Sequence, residues 1–119
     1  MSNWYDRDGK AVVTAKLGSK LWEKQMRKME KKLSDRSYKV VKQDYTKNKK
    51  WWVSTVWLGI DHGWGDGPPQ IFETMVFEVK DDVAQMGHDE QCERYATEKE
   101  ALVGHNKVLR KWEKKDVNP

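Results

Sequence analysis

Two apolar stretches joined by a glycine-rich connection constrain the fold most. Residues 51–61 carry apolar side chains at odd and even positions alike, with Trp52 and Leu58 pointing one way and Val53 and Trp57 the other. A strand that is apolar on both faces is typical of the middle of a sheet, with an element packed on each side. Residues 71–80 also carry apolar side chains on both faces, with Met75 and Phe77 on one and Phe72 and Val76 on the other. We therefore expect two long strands here.

Further strands are predicted around this pair. Residues 37–46 are rich in residues with high β propensity, and a polar hairpin loop at 47–50 connects them to the central strand. Asp8-Gly9, between an aromatic pair and a β-branched pair, predicts a small N-terminal hairpin. The acidic stretch 81–93 is expected to be turn-rich, and 94–96 to form a short edge strand.

Two helices are predicted. Apolar residues recur at helical spacing over residues 16–33, and Thr14 and Ser19 are alternative N-caps for that helix. Thr97-Glu98-Lys99-Glu100 is a capping box, which predicts the start of a second helix. His105 in this helix is expected to be half-buried.

Composition fits one domain with an aromatic core. Leu, Ile, Val and Phe number only 22 of 119 residues, but seven Trp and four Tyr supply large apolar surfaces. The prediction is a single α+β domain over residues 1–119, frayed at 116–119. It has a three- to five-stranded, mainly antiparallel sheet and two amphipathic helices.

Cysteine content and hydropathy narrow the class of protein. The single Cys92 excludes an intramolecular disulfide and a zinc site built on paired cysteines. The chain has no apolar run of about 18 residues and no signal-peptide pattern, so we expect no membrane contact and a cytoplasmic location.

The glycine-rich connection is the first candidate site. Its glycines allow close backbone approach, Trp64 offers a stacking platform, and Asp61, His62 and Asp66 offer polar contacts. Glu73 follows on the next strand. The alternative is a structural loop whose carboxylates bind its own backbone and whose Trp64 packs on the core.

A metal-dependent hydrolase at this loop is a further alternative. Asp61, His62, Asp66 and Glu73 are ligand types that suit Mn²⁺, Fe²⁺ or Zn²⁺, but metal sites need fixed spacing on rigid elements. No nucleophile signature and no glycine-rich phosphate fingerprint is present. We therefore expect neither a metal nor a cofactor, and no catalytic residue is assigned.

Charge is distributed unevenly along the chain. Residues 15–50 hold thirteen Lys and Arg against four Asp and Glu, whereas residues 51–101 hold three against eleven. The basic block predicts either a solvated helix face or a nucleic-acid contact without sequence preference. The residues predicted for that contact are Lys20, Lys24, Arg27, Lys28, Lys31, Lys32, Lys49 and Lys50.

Three motifs carry a resemblance to a known family. They are Val53-Ser-Thr-Val-Trp-Leu-Gly-Ile-Asp-His62, Gly65-Asp-Gly-Pro-Pro-Gln-Ile-Phe-Glu-Thr-Met-Val-Phe77 and Arg94-Tyr-Ala-Thr-Glu-Lys-Glu-Ala-Leu-Val-Gly-His105. With these motifs, and with the opening Trp4-Tyr-Asp-Arg-Asp-Gly9, the chain resembles a family of small uncharacterised proteins encoded by bacteriophages and by prophage-carrying bacteria. The resemblance implies a phage accessory protein and brings no established activity. Residues 16–50 are longer and more cationic than this resemblance leads us to expect, so it implies no role for them.

The leading hypothesis is therefore a non-enzymatic binding module in the host cytoplasm during infection. Its expected partner is a host protein or another host macromolecule, or a nucleotide-like small molecule, held by Asp61, His62, Trp64, Asp66 and Glu73. Interference with host defence is one use for such a module. Nucleic-acid binding by the basic block is the alternative, and an open strand edge near the N-terminal hairpin would permit a homodimer.

Overall fold

The protein is described by a computed structural model that covers residues 4–63 and 66–115. Its elements are α1 (Lys20–Ser34), α2 (Arg36–Lys39), β1 (Val40–Tyr45), β2 (Trp51–Trp57), β3 (Phe72–Lys80), β4 (Val83–Tyr95) and α3 (Glu98–Lys115). The predicted α+β class, with an antiparallel sheet and two long helices, is confirmed. The tail predicted to fray, 116–119, lies outside the described residues.

The four strands form one antiparallel sheet in the order β1-β2-β3-β4. Val53 pairs with Val76 across β2 and β3, and Val108 and Trp112 of α3 pack on that pair. Among the described helices, only α3 packs across all four strands. On the opposite face, Trp52 instead packs between the rings of Tyr45 and Phe77. A helix thus covers one face of the central strand, whereas the prediction placed an element on each.

A second cluster joins the N-terminal part of the chain to the end of the sheet. Met29 of α1 is buried against Trp57, Phe72 and Ala101. The predicted N-terminal hairpin is present as a turn closed by an isolated Tyr5–Ala11 bridge. The ion pairs Lys32–Asp6 (2.8 Å) and Arg7–Glu98 (2.6 Å) join this turn to α1 and α3.

The helix starts follow their caps. The Ser19 hydroxyl accepts the Trp22 N–H at 3.1 Å, so α1 begins after Ser19 rather than after Thr14. The Thr97 hydroxyl accepts the Glu100 N–H at 3.1 Å, which confirms the predicted helix start. The Thr97 hydroxyl also donates to the Glu100 carboxylate at 3.0 Å.

The prediction for residues 81–93 is wrong. Only Asp81 and Asp82 form a turn, and Val83–Tyr95 is a 13-residue strand that also contains most of the predicted short strand at 94–96. Backbone pairing with β3 holds this strand in place, with register shifts near Phe77. An edge strand can be acidic because its side chains largely face solvent.

Two other boundaries differ from the prediction. Residues 37–39 belong to α2 because the Asp35 carboxylate accepts the backbone N–H groups of Ser37 and Tyr38 and so caps a short helix. The central strand ends at Trp57. Gly59 then has a φ of +81°, which interrupts the extended backbone before the glycine-rich connection.

Candidate functional site

The glycine-rich connection between β2 and β3 is held in shape by Asp61. Its Oδ1 atom accepts the backbone N–H of Gly63 at 2.7 Å and that of Gln70 at 2.8 Å. The His62 N–H donates to the Gln70 carbonyl at 3.1 Å and closes the base of the loop. For Asp61, this bonding supports the structural interpretation of the loop.

The other residues predicted to form this site differ in exposure. His62 and Asp66 are exposed, Glu73 is buried on β3, and Trp64 lies outside the described residues. Within the part of the chain that the structure describes, no three His, Cys, Asp or Glu side chains form a group that could hold a metal ion. Asp61 and its three predicted co-ligands therefore do not form the centre that the hydrolase alternative requires.

Glu73 takes part in a different cluster, on the sheet face opposite α3. Its Oε2 atom accepts the Arg94 Nε–H at 3.0 Å and lies 3.5 Å from the Cys92 Sγ. Burial, reinforced by the nearby Glu73 charge, raises the pKa of the Cys92 thiol to about 11. This thiol is protonated at neutral pH and is a poor nucleophile.

A chain of side-chain hydrogen bonds, enclosed except at Asp44, runs beneath α3. Asp44 Oδ2 lies 2.7 Å from His105 Nε2, and His105 Nδ1 lies 2.7 Å from Thr55 Oγ1. Thr55 Oγ1 in turn lies 2.5 Å from Thr74 Oγ1. The chain connects β1, α3, β2 and β3 through side chains alone.

This arrangement has the order of a carboxylate, a base and a hydroxyl, but its base and its hydroxyl are enclosed. His105 and Thr55 are both 0% exposed, so no substrate reaches the hydroxyl. Burial lowers the pKa of His105, while the Asp44 carboxylate acts in the opposite direction. The prediction that His105 is half-buried is wrong. Thr55 and Thr74, polar residues within apolar strands, were the sequence signal for its partners.

Most cations of the predicted nucleic-acid contact are exposed. Lys32 is the exception, because its ammonium donates to Asp6 at 2.8 Å and lies 5.4 Å from the centre of the Tyr38 ring. Lys32 therefore has a structural role. The exposed members are Lys20, Lys24, Arg27, Lys28 and Lys31 on α1, and Lys49 and Lys50 in the β1–β2 hairpin.

A second cationic surface lies on α3. Five side chains, which we call the α3 cationic face, line a shallow concavity of about 570 Å³: Lys107, Arg110, Lys111, Lys114 and Lys115. The Lys115 ammonium lies 4.1 Å from the centre of the Trp112 ring, and Lys111 donates to the Gln91 side chain at 3.2 Å. Trp112 itself is buried against the sheet, which fixes the direction of this face.

A groove of about 580 Å³ runs between β4 and α3. Tyr95, Val103 and Gly104 contribute to its lining, and Lys107 and Lys111 belong to both the groove and the α3 cationic face. The Tyr95 ring packs on the Gly104 backbone, where an added Cβ would lie 2.2 Å from the ring. Gly104 therefore permits the close approach of the helix to β4.

No protein-family model matches the chain, and no curated protein or solved structure matches it. None of the described helices is long and apolar enough to cross a membrane.

The α3 cationic face was missed by the sequence analysis, although its signal is present. Residues 102–119 hold five Lys and Arg against two Asp and Glu. These five cations recur at intervals of three and four residues, which places them on one side of a helix. The nucleic-acid contact was predicted in residues 15–50 instead, because their excess of cations is larger.

Proposed function

We propose that the protein is a non-enzymatic binding module whose partner is a nucleic acid, contacted by the cationic sides of α3 and α1. The observation that carries the proposal is the α3 cationic face. Its five side chains converge on one concavity, and none of them forms an ion pair within the described part of the chain. Cations without carboxylate partners are available to phosphate groups.

The spacing of these cations suits a repeating polyanion. Lys107, Lys111 and Lys115 are four residues apart, which corresponds to about 6 Å per step along a helix axis. Lys20, Lys24 and Lys28 follow the same spacing on α1. Such rows contact phosphates rather than base edges, so binding is independent of sequence and weakens steeply with salt.

Two observations favour a binding role over catalysis. The hydroxyl of Thr55 is enclosed with its histidine partner, and the raised pKa of Cys92 keeps its thiol protonated. Neither group can attack a substrate from its present position. Binding to nucleic acid during infection would fit the phage accessory proteins that the sequence resembles.

Removing two cations from the α3 cationic face tests the proposal. We expect the double variant Arg110→Gln/Lys114→Gln to bind DNA more weakly, as measured by fluorescence anisotropy with a labelled oligonucleotide over a range of salt concentrations. The slope of log Kd against log salt should fall by about 1.5, because each lost phosphate contact contributes about 0.7–0.9.

The control is Lys10→Gln/Lys80→Gln, which removes the same charge from exposed positions outside both helices. We expect this control to retain most of the affinity. If wild-type protein binds no DNA at low salt, or if both double variants lose the same affinity, the proposed interface is wrong.

The glycine-rich connection supports a second candidate function, capture of a host macromolecule. Asp61 fixes the base of this loop, while His62 and Asp66 remain exposed beside it. The variant His62→Ala/Asp66→Ala should keep the wild-type Tm and lose capture of a host partner from infected cells. Unchanged capture would refute this role for the two side chains.

A further inference from the structure

We infer that the groove between β4 and α3 holds an unpaired base, so that the nucleic acid bound is single-stranded. This inference rests on the proposed function, because it assigns the form of nucleic acid that the same surface selects. The groove has a volume of about 580 Å³, within the usual range of small-ligand pockets. A single base therefore fits with room for its sugar.

The groove offers contacts that suit a flat ring. Val103 is 51% exposed and lines the groove together with Tyr95, so an apolar surface is open to a ligand. Tyr95 supplies the aromatic ring, and base stacking on aromatic side chains is tolerant of sequence because every base presents a flat π face. Close packing of Tyr95 on Gly104 holds the ring against the helix.

The groove and the α3 cationic face form one continuous surface. Lys107 and Lys111 line both, so a phosphate held by either residue lies at the mouth of the groove. A nucleic-acid strand whose phosphates follow these cations would thus have a base within reach of Val103. Because Lys107 and Lys111 complement the negative phosphates, this continuous surface favours a nucleic acid over an uncharged ligand.

The rim adds acceptors that a base can use. Glu93 and Glu100 line the groove, and carboxylates accept hydrogen bonds from the exocyclic amines of bases. In a duplex these amines are paired and the ring faces are stacked. Only an unpaired base can therefore enter the groove, which gives the protein a preference for single strands.

An abasic oligonucleotide separates base contacts from phosphate contacts. The probes are a labelled strand of about twelve nucleotides, the same strand in a duplex, and a strand of equal length whose central nucleotides lack bases. We expect wild-type protein to bind the intact single strand about tenfold or more tightly than the abasic strand. It should also prefer the intact single strand to the duplex.

Filling the groove should abolish this preference. Val103→Trp adds a large ring at an exposed lining position, and it should bind the intact and abasic strands equally, with duplex affinity unchanged. The matched control is Leu102→Trp, a neighbouring exposed position that does not line the groove. This control should behave as wild type. Circular dichroism and Tm measurements establish that both variants fold.

The outcomes distinguish the two proposals. If wild type binds intact and abasic strands equally, or prefers the duplex, the groove holds no base, while the cationic interface stands. A loss of preference in Leu102→Trp as large as that in Val103→Trp would also overturn the assignment of the groove. If wild type binds none of the probes, the proposed function itself fails. The wild-type comparison decides the matter even where Val103→Trp does not fold.

Discussion

A single polar residue in the core, His105, makes the stability of the protein depend on its hydrogen bonds and on pH. His105 is fully enclosed, and both of its ring nitrogens are bonded, one to Asp44 and one to Thr55. A buried polar group that loses its partner costs about 1–3 kcal/mol. The hydrogen-bond chain beneath α3 therefore makes the position of that helix sensitive to changes in any one member.

Acidification should destabilise the protein through His105. In the unfolded chain a histidine binds its proton near pH 6.5, whereas burial lowers the pKa of His105 in the folded chain. Below about pH 6.5 the unfolded state binds more protons, so the free energy of unfolding falls as pH falls. Urea titrations at about pH 7.5 and 5.5 should show a lower midpoint at the acidic value.

Glutamine variants test the origin of this dependence. His105→Gln should be less stable than wild type at neutral pH and lose less stability on acidification, because glutamine does not titrate. His62→Gln alters an exposed histidine outside the hydrogen-bond chain and is the matched control. An unchanged pH dependence in His105→Gln would assign the effect to other groups.

Gly104→Ala should destabilise the protein although alanine favours helix. The added Cβ would lie 2.2 Å from the Tyr95 ring, and such overpacking costs about 1–3 kcal/mol against a propensity gain of about 1 kcal/mol. In a Tyr95→Ala background the ring is absent, and the same substitution should become stabilising. Urea unfolding of the four proteins gives the sign in each background, and a stabilising effect in both would contradict the packing argument.

At the scale of elements, β4 shows what periodicity can and cannot predict. The strands β2 and β3 were predictable because apolar residues are concentrated along both of their faces. β4 carries Asp89, Glu90 and Glu93 instead, and its position is set by backbone pairing with β3, which leaves no apolar alternation in the sequence. The helix starts were predictable because their caps are local, as at Ser19 and Thr97.

The turn that joins β3 to β4 stores backbone strain. Asp81 and Asp82 have φ values of +53° and +62°, a conformation that glycine adopts without strain. Asp82→Gly should therefore raise the free energy of unfolding by up to about 1 kcal/mol. Asp82→Ala removes the same charge without relieving the strain and should give no gain. Thermal denaturation of both variants checks this, and equal Tm values would assign any gain to charge.

At the scale of the whole molecule, the candidate surfaces combine residues that are distant in sequence. The cations of α1 were predictable from composition, and the loop role of Asp61 was one of two interpretations left open. The groove was not predictable, because it forms only when Tyr95, at the end of a strand whose full length was not predicted, packs on Gly104 of α3. The buried contacts of His105 likewise required the placement of α3 on the sheet.

The acidic side chains of β4 affect how readily copies of the protein associate with one another. This strand is at the border of the sheet, where an unpaired backbone ladder invites copies of the same chain to join. Two such borders meeting face to face would bring Asp89, Glu90 and Glu93 of each chain into mutual repulsion. The negative charge of this edge strand thus opposes continued strand-to-strand assembly at neutral pH. It does not oppose the approach of a positively charged chain.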